Sequence, residues 1–244
     1  MKPRFDYRGK NIAVTGTSGG LGFALVEQLG EQGARVERIA RHAHWEPADY
    51  DMVFLNAAVG HVQASNQLVL EDAKEMFQLN FLQTVSDAQR ALRGKCQHVH
   101  VVGSVVSHIS APHLALYAAS KHALRGWAYG AVRELPGRIS ISYPNGMRSK
   151  FFNSLKGDPS LVEHYSSQVE MAQQAYDHPE HVANGILVGI QIGAREIIPT
   201  PYALDWFVKN EVDIRRMWHP PLDQPSVEKW DWWDAVLRHL DTMK

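Results

Sequence analysis

A chain of 244 residues that is 45% hydrophobic can bury one large core and fits a single α/β domain. Lys and Arg (25) balance Asp and Glu (26), so charge points to neither nucleic acid nor an anionic membrane surface. No apolar run reaches the length of a membrane span, and MKPRFDYRGKN at the start has no apolar stretch of the signal-peptide kind. Cys96 is the only cysteine, which excludes an intrachain disulfide and makes the cytoplasm the expected compartment.

In chain order, Ile12–Val14 forms an apolar run suited to a buried strand, and Gly16, Gly19, Gly20 and Gly22 follow it closely. Leu21, Leu25 and Leu29 then recur at helical spacing, joined by Val26. Strand, glycine turn and helix make a phosphate cradle, because the helix start offers free N–H groups and the positive end of its dipole. ARVERIA (34–40) reads as a second strand, and Met52–Leu55 as a third that runs into Asn56-Ala57-Ala58. Helical spacing covers about 67–92, His98–Val102 is a strand ending at Gly103-Ser104, and Tyr117–Leu135 is a helix rich in small residues. Ile139–Ser142 is a strand leading to Pro144-Asn145-Gly146; residues 149–178 are irregular and aromatic; Pro179–Gln191 is a helix and Glu196–Ile198 a last short strand. The alternation predicts a Rossmann-type, doubly wound parallel sheet, with one domain over residues 1–205 and a Trp-rich appendage from 206 to 244.

Chemistry concentrates at three residues. Tyr117 and Lys121 are four apart on a helix and share a face. A phenol titrates near pH 10, and a neighbouring ammonium favours phenolate, so a paired tyrosine can pass a proton to or from an oxygen. Ser104, thirteen residues earlier, stands at a parallel strand end, where open α/β sheets bind their ligands.

Thr15-Gly16-x-x-x-Gly20-x-Gly22, Asn56-Ala57-Ala58, Asn80, Ser104, Tyr117-x-x-x-Lys121 and Pro144-Asn145-Gly146, in that order, resemble the short-chain dehydrogenase/reductase family over about residues 8–200. The resemblance implies an oxidoreductase that moves a hydride between a nicotinamide dinucleotide and a carbonyl or alcohol. Tyr117 would be the general acid or base, and Ser104 would bond the reacting oxygen. Lys121 would lower the Tyr117 pKa and bind the nicotinamide ribose, and Asn80 would hold a water in a proton relay. Gly16, Thr17, Ser18, Gly20, Leu21 and Gly22 would hold the pyrophosphate, and Asn56, Ala57 and Ala58 would run along the adenosine ribose. Pro144, Met147 and Ser149 would lie at the nicotinamide end, and residues 149–178 would form the substrate lid. At the end of the second strand Ala40 stands where an acid would select NAD, and Arg41 follows; an arginine suits a 2′-phosphate, which puts NADP(H) ahead of NAD(H).

Three features depart from the family. About ten residues separate Arg41 from the next strand, too few for the usual strand–helix unit, so HAHWEPADY would wall the adenine, with Trp45 against the base. Ala58 replaces a glycine, and Asn145 replaces another. The histidines sit on different elements without acidic companions, so no metal site is expected, although His108 or His113 would be within reach of a substrate. The resemblance further implies a homodimer or homotetramer built on the 67–92 and 117–135 helices. Two rival readings stay open: an isomerase or dehydratase using bound cofactor, and a non-catalytic NADP(H) sensor.

Overall fold

The computed structural model describes residues 5–40, 43–171, 176–210 and 217, with only the backbone given for 168–171. Its elements run as follows. β1 (Asn11–Thr15), α1 (Gly20–Glu31), β2 (Arg35–Ile39) and β3 (Met52–Leu55) form the first part, followed by the two-residue β4 (His61–Val62). α2 (Leu70–Phe77) and α3 (Thr84–Arg93) are joined without a break by a π-helical turn, Gln78–Gln83. Then come β5 (His98–Val102), α4 (Ala115–Glu134), β6 (Ile139–Ser142), β7 (Lys156–Gly157), α5 (Pro159–Met171), α6 (Pro179–Gln191), β8 (Glu196–Ile197) and α7 (Pro201–Lys209).

Six strands form one parallel sheet in the order β2-β1-β3-β5-β6-β8, and β4 pairs with β7 in a separate two-stranded ladder. The alternation along each strand sorts side chains to two faces. Ala13, Val53, Leu55, Val99, Val101, Ile139 and Ile141 pack towards α3, α4 and α7, whereas Ile12, Val14, Met52, Phe54 and Val102 pack towards α1 and α6. All six strands of the predicted sheet and its parallel sense are therefore as the sequence implies. Among the described residues nothing pairs with the outer edge of β2, and only a single turn of 3-10 helix, Pro47–Asp49, interrupts the way to β3. The edge unit is missing, as the short spacing predicts.

Two helices lie where the sequence suggests none. α5 runs through the stretch expected to be irregular, started by Asp158, whose carboxylate accepts from the Ser160 and Leu161 N–H groups. α7 crosses the boundary expected at residue 205: Thr200 caps it, Pro201 opens it, and Phe207 is fully buried in the main core. The domain thus continues to the end of α7. The tryptophans at 218, 230, 232 and 233 lie outside the described residues, as does Arg41.

Between β5 and β6 the core holds a row of polar side chains. His98 Nδ1 lies 3.1 Å from the Gly137 carbonyl oxygen and His98 Nε2 2.8 Å from Ser140 Oγ. His100 Nδ1 lies 2.9 Å from the same Ser140 Oγ and His100 Nε2 3.0 Å from Ser142 Oγ. A carbonyl only accepts, so His98 donates from Nδ1 and accepts at Nε2, which orients every later bond in one direction: Ser142 to His100, His100 to Ser140, Ser140 to His98. Burial pushes His98 down to about 4 and holds His100 well below the usual imidazole value, so both rings are neutral. Four polar groups are thus buried with their bonds made. Among the described residues no group of three His, Cys, Asp or Glu residues is arranged to hold a metal ion, and no helix is long and apolar enough to cross a membrane.

Candidate active site

The sheet register brings the site together. Thr15 pairs with Ile39, Val14 with Phe54, Leu55 with Val101, and Val102 with Ser142, so β1, β3, β5 and β6 end at nearly one level. The residues that follow emerge side by side: Gly16, Asn56, Ser104 and Pro144.

At the first of these ends the chain turns tightly. Gly16 has φ 69°, and a Cβ on Gly22 would sit 2.2 Å from the Gly16 carbonyl oxygen, so the helix packs directly on the turn and no side chain fits between them. No side chain caps α1 and its first turn carries no acid, which leaves its N–H groups to a ligand. Thr17 is half-buried and Ser18 exposed beside them, while Leu21 turns its side chain into the core and offers the site only its backbone. Ser149 closes over the turn, its Cβ 2.9 Å from where a Gly20 side chain would begin.

Asn56 turns its side chain onto the glycine loop. Its carboxamide donates to the Thr15 and Gly16 carbonyls at 3.1 and 3.0 Å, and Thr15 Oγ1 accepts from the Asn56 and Ala57 N–H groups. It is a clamp on the glycine turn. Ala57 does line the adjoining cavity, of about 240 Å³, which Ile39, Ala40, His44, Trp45 and Asp87 also border. Ala58 is half-buried beside it. Trp45 stands 5.9 Å from Tyr50, and Arg90 holds the strap by donating to the Trp45 carbonyl at 2.8 Å and to Glu46 at 2.9 Å.

At the second end, Ser104 hydrogen-bonds the Tyr117 hydroxyl, which favours phenolate, but burial outweighs it and holds the Tyr117 pKa well above the usual phenol value. The ammonium of Lys121 is 5.9 Å from the Tyr117 ring centre and donates to the Val102 carbonyl at 2.9 Å. Lys121 is 3% exposed, and that desolvation lowers its pKa to about 8. The expected lowering of the Tyr117 pKa by Lys121 is therefore not what dominates here; burial acts on both groups in opposite directions.

Asn80 is buried, with its side chain fully bonded. Both hydrogens of its amide are committed, to the Val59 carbonyl at 2.9 Å and Ser120 Oγ at 3.1 Å, and its oxygen accepts from Val59 N–H at 2.9 Å. Ser120 in turn donates to the Tyr117 carbonyl at 2.7 Å. The side chain is a strut that fixes the first turns of α4. Its place within the π turn, a feature common at functional sites, has no signature in the sequence. Ser120 and Thr15 are positioning residues that the sequence reading missed or left without a role.

Over the site, Phe151 lies 5.7 Å from Tyr117 and 5.7 Å from Phe152, and Phe152 stacks 6.2 Å from Tyr176. Pro144 is buried, its carbonyl accepting from Val105 N–H at 2.9 Å; Met147 packs on the α1 side of the core and pairs with Asp177. Asp177 accepts from Thr200, and burial raises its pKa to about 6 against that bond. His108 does not reach the opening; it is wedged edge-on against Tyr143 and Phe207 at 4.6 and 4.9 Å.

Comparison with known proteins agrees with this geometry. The family model for short chain dehydrogenases matches residues 43–158. Over that stretch the chain resembles this family. An uncharacterised oxidoreductase of Schizosaccharomyces pombe is 25% identical over 193 residues, 63% of this chain and 65% of that protein, so the match spans just under two thirds of that relative's length. Among solved structures, a short chain dehydrogenase/reductase from Burkholderia phymatum in complex with NAD is 16% identical with a TM-score of 0.69, over 91% of this chain and all of that one. A short chain dehydrogenase from Burkholderia cenocepacia in complex with NADP is 19% identical with a TM-score of 0.66, over the same shares. At those identities the two structures establish the shared fold.

Proposed function

We propose that this chain transfers a hydride between NADP(H) and a small-molecule carbonyl or alcohol, with Tyr117 as general acid or base. The observation that carries this reading is the junction of Ser104, Tyr117 and Lys121 at the same sheet edge as an uncapped glycine turn. The turn and the 240 Å³ cavity fit a dinucleotide: the α1 N–H groups, Thr17 and Ser18 at the pyrophosphate, Ala57 and the His44–Trp45 strap at the adenosine, and Met147 and Ser149 at the nicotinamide. When bound, the cofactor supplies or accepts the hydride.

Tyr117, protonated at neutral pH, gives its proton to the carbonyl oxygen as that carbon gains hydrogen. Ser104 bonds the same oxygen and steadies the negative charge that develops on it. Lys121, held by one bond to Val102, directs its charge to the phenolate left on Tyr117 and its remaining N–H groups to a ribose. NADP(H) is favoured over NAD(H) because Ala40, the residue just after β2, carries no carboxylate and Arg41 follows in the sequence. The aromatic lid suits an apolar or aromatic substrate.

The test is NADPH oxidation across ketones, aldehydes and quinones, with Tyr117→Phe as control. Net NADPH consumption that the variant loses supports the reading; nucleotide binding without any turnover favours a sensor. NADH binding as tight as NADPH, unaffected by Arg41→Ala, removes the cofactor assignment. We further place a subunit interface on α2–α3 and α4, where Leu82 and Tyr129 are exposed and a Cβ on Gly126 would touch nothing. Leu82→Glu with Tyr129→Glu then lowers the mass measured in solution by light scattering.

A further inference from the structure

Ser104 does not stand alone at the end of β5. The chain after it makes one turn of 3-10 helix, Val105–Ser107, and Ser104 is the residue that caps this turn. The cap is reciprocal. Ser104 Oγ accepts from the Val106 N–H at 3.4 Å, and Ser107 Oγ accepts from the Ser104 N–H at 3.2 Å. The turn is also fixed at both of its ends. The Val105 N–H donates to the Pro144 carbonyl at 2.9 Å, and His108 is wedged edge-on against Tyr143 and Phe207.

Ser107 is fully buried. A hydroxyl removed from water costs stability unless it keeps a bond, and alanine would serve such a position for packing alone. The bond Ser107 keeps is the one to the Ser104 backbone. Its hydroxyl is therefore explained by what it does to Ser104.

The consequence falls on the Ser104 side chain. A serine hydroxyl has one hydrogen and two lone pairs. The Val106 N–H takes one lone pair, so the hydrogen points elsewhere, and Ser104 is bonded to the Tyr117 hydroxyl. That bond favours the Tyr117 phenolate, which is the sense of a serine that donates. A serine free to rotate could accept the Tyr117 proton and draw it away from a substrate oxygen. One held as a donor leaves that proton to the substrate.

We propose that Ser107 is a positioning residue for the reaction. By closing the turn on the Ser104 N–H, it keeps the Val106 N–H against Ser104 Oγ and so fixes Ser104 as a donor towards the reacting oxygen. It acts only through Ser104. This rests on the hydride-transfer reading above for its kinetics and not for its hydrogen bonds.

A double-mutant cycle tests it, on the ketone that NADPH reduces fastest. Ser107→Ala should lower kcat about 10-fold with the KM for NADPH unchanged. In a Ser104→Ala background the same substitution should have no further effect, because the group it positions is gone, whereas a merely structural loss would repeat there. Ser107→Cys keeps the volume with a poor acceptor and should match Ser107→Ala. A kcat within about twofold of wild type in either single variant, or losses that multiply in the double variant, overturns the proposal. Hydrogen exchange of ¹⁵N-serine protein gives a reading that needs no turnover. The Ser104 N–H should exchange slowly and lose that protection in Ser107→Ala and Ser107→Cys. That result upholds the Ser104–Ser107 box even if no ketone is reduced, in which case only the hydride-transfer reading fails. Equal protection in wild type and variants sinks the proposal.

Discussion

The two sides of β1 are built on different principles. Towards β3 and β5, each turn at the sheet edge is tied by a side chain to nearby backbone: Asn56 to Thr15 and Gly16, Asn80 to Val59, Lys121 to Val102. Towards β2, the strand is an edge with mostly exposed residues, and the strap after it hangs on Arg90, which reaches across from α3. The first side is rigid by dense local bonding, which suits proton and hydride transfer that tolerate little misplacement. The second side is a short loop held by a few bonds, from Arg90 to Trp45 and Glu46, from Tyr50 to Glu37 and from the Lys95 N–H to the Ala48 carbonyl, and its changes are predicted to act on cofactor affinity more than on rate.

That contrast can be broken from either side. The largest effect belongs to Tyr117→Phe, which should cut kcat by about 10³-fold while NADPH binding, followed by fluorescence, changes little. Asn56→Ala comes next: it leaves two carbonyls at the turn without their donor and should destabilise the fold by about 2 kcal/mol in urea titration while raising the KM for NADPH. Arg90→Ala acts on the other side. Its ion pair is exposed and contributes less than about 1 kcal/mol to stability, but freeing the Trp45 strap should weaken NADPH binding about threefold to tenfold with kcat retained. A comparable loss of kcat in Arg90→Ala would show that the two sides are not separable.

Titration sharpens the comparison further. The Lys121 pKa is lowered to about 8 by burial, so between that value and the unfolded value near 10.4 the unfolded chain binds more protons. Stability should therefore rise with pH across that window, while kcat/KM falls as the ammonium is lost. Opposite slopes in thermal melts and kinetics, both absent in Lys121→Met, check the assignment. The smallest effect is at Asp177, raised to about 6, where the folded state binds more protons from about pH 4 to 6 and stability declines as pH rises through that range. Asp177→Asn should keep the Thr200 bond, flatten that slope and raise the melting temperature at pH 7 but not at pH 4.

Legibility in the sequence follows the same division. Gly16, Gly22, Ser104, Tyr117 and Lys121 were readable because their chemistry depends on spacing along the chain or on a turn that only glycine makes. The bracing roles of Asn56, Asn80 and Ser120 were not, since each acts by bonding backbone that only the folded chain brings near. α5 was missed because Leu161, Val162 and Tyr165 are interspersed with charged and hydroxyl residues, which blurs its periodicity. α7 carried its signals, Thr200 before Pro201, but they were outweighed by the count of tryptophans beyond.

The one-way order of the bonds from Ser142 to Gly137 has a consequence for how this chain can change. No single member can be replaced without leaving a neighbour donating to nothing or accepting from nothing, so His98, Ser140, His100 and Ser142 vary as one unit or not at all. Substitutions among them should be far from additive, with the removal of all four by apolar residues costing less than the sum of the separate losses. In inheritance the row behaves as a single four-letter character spread over two strands.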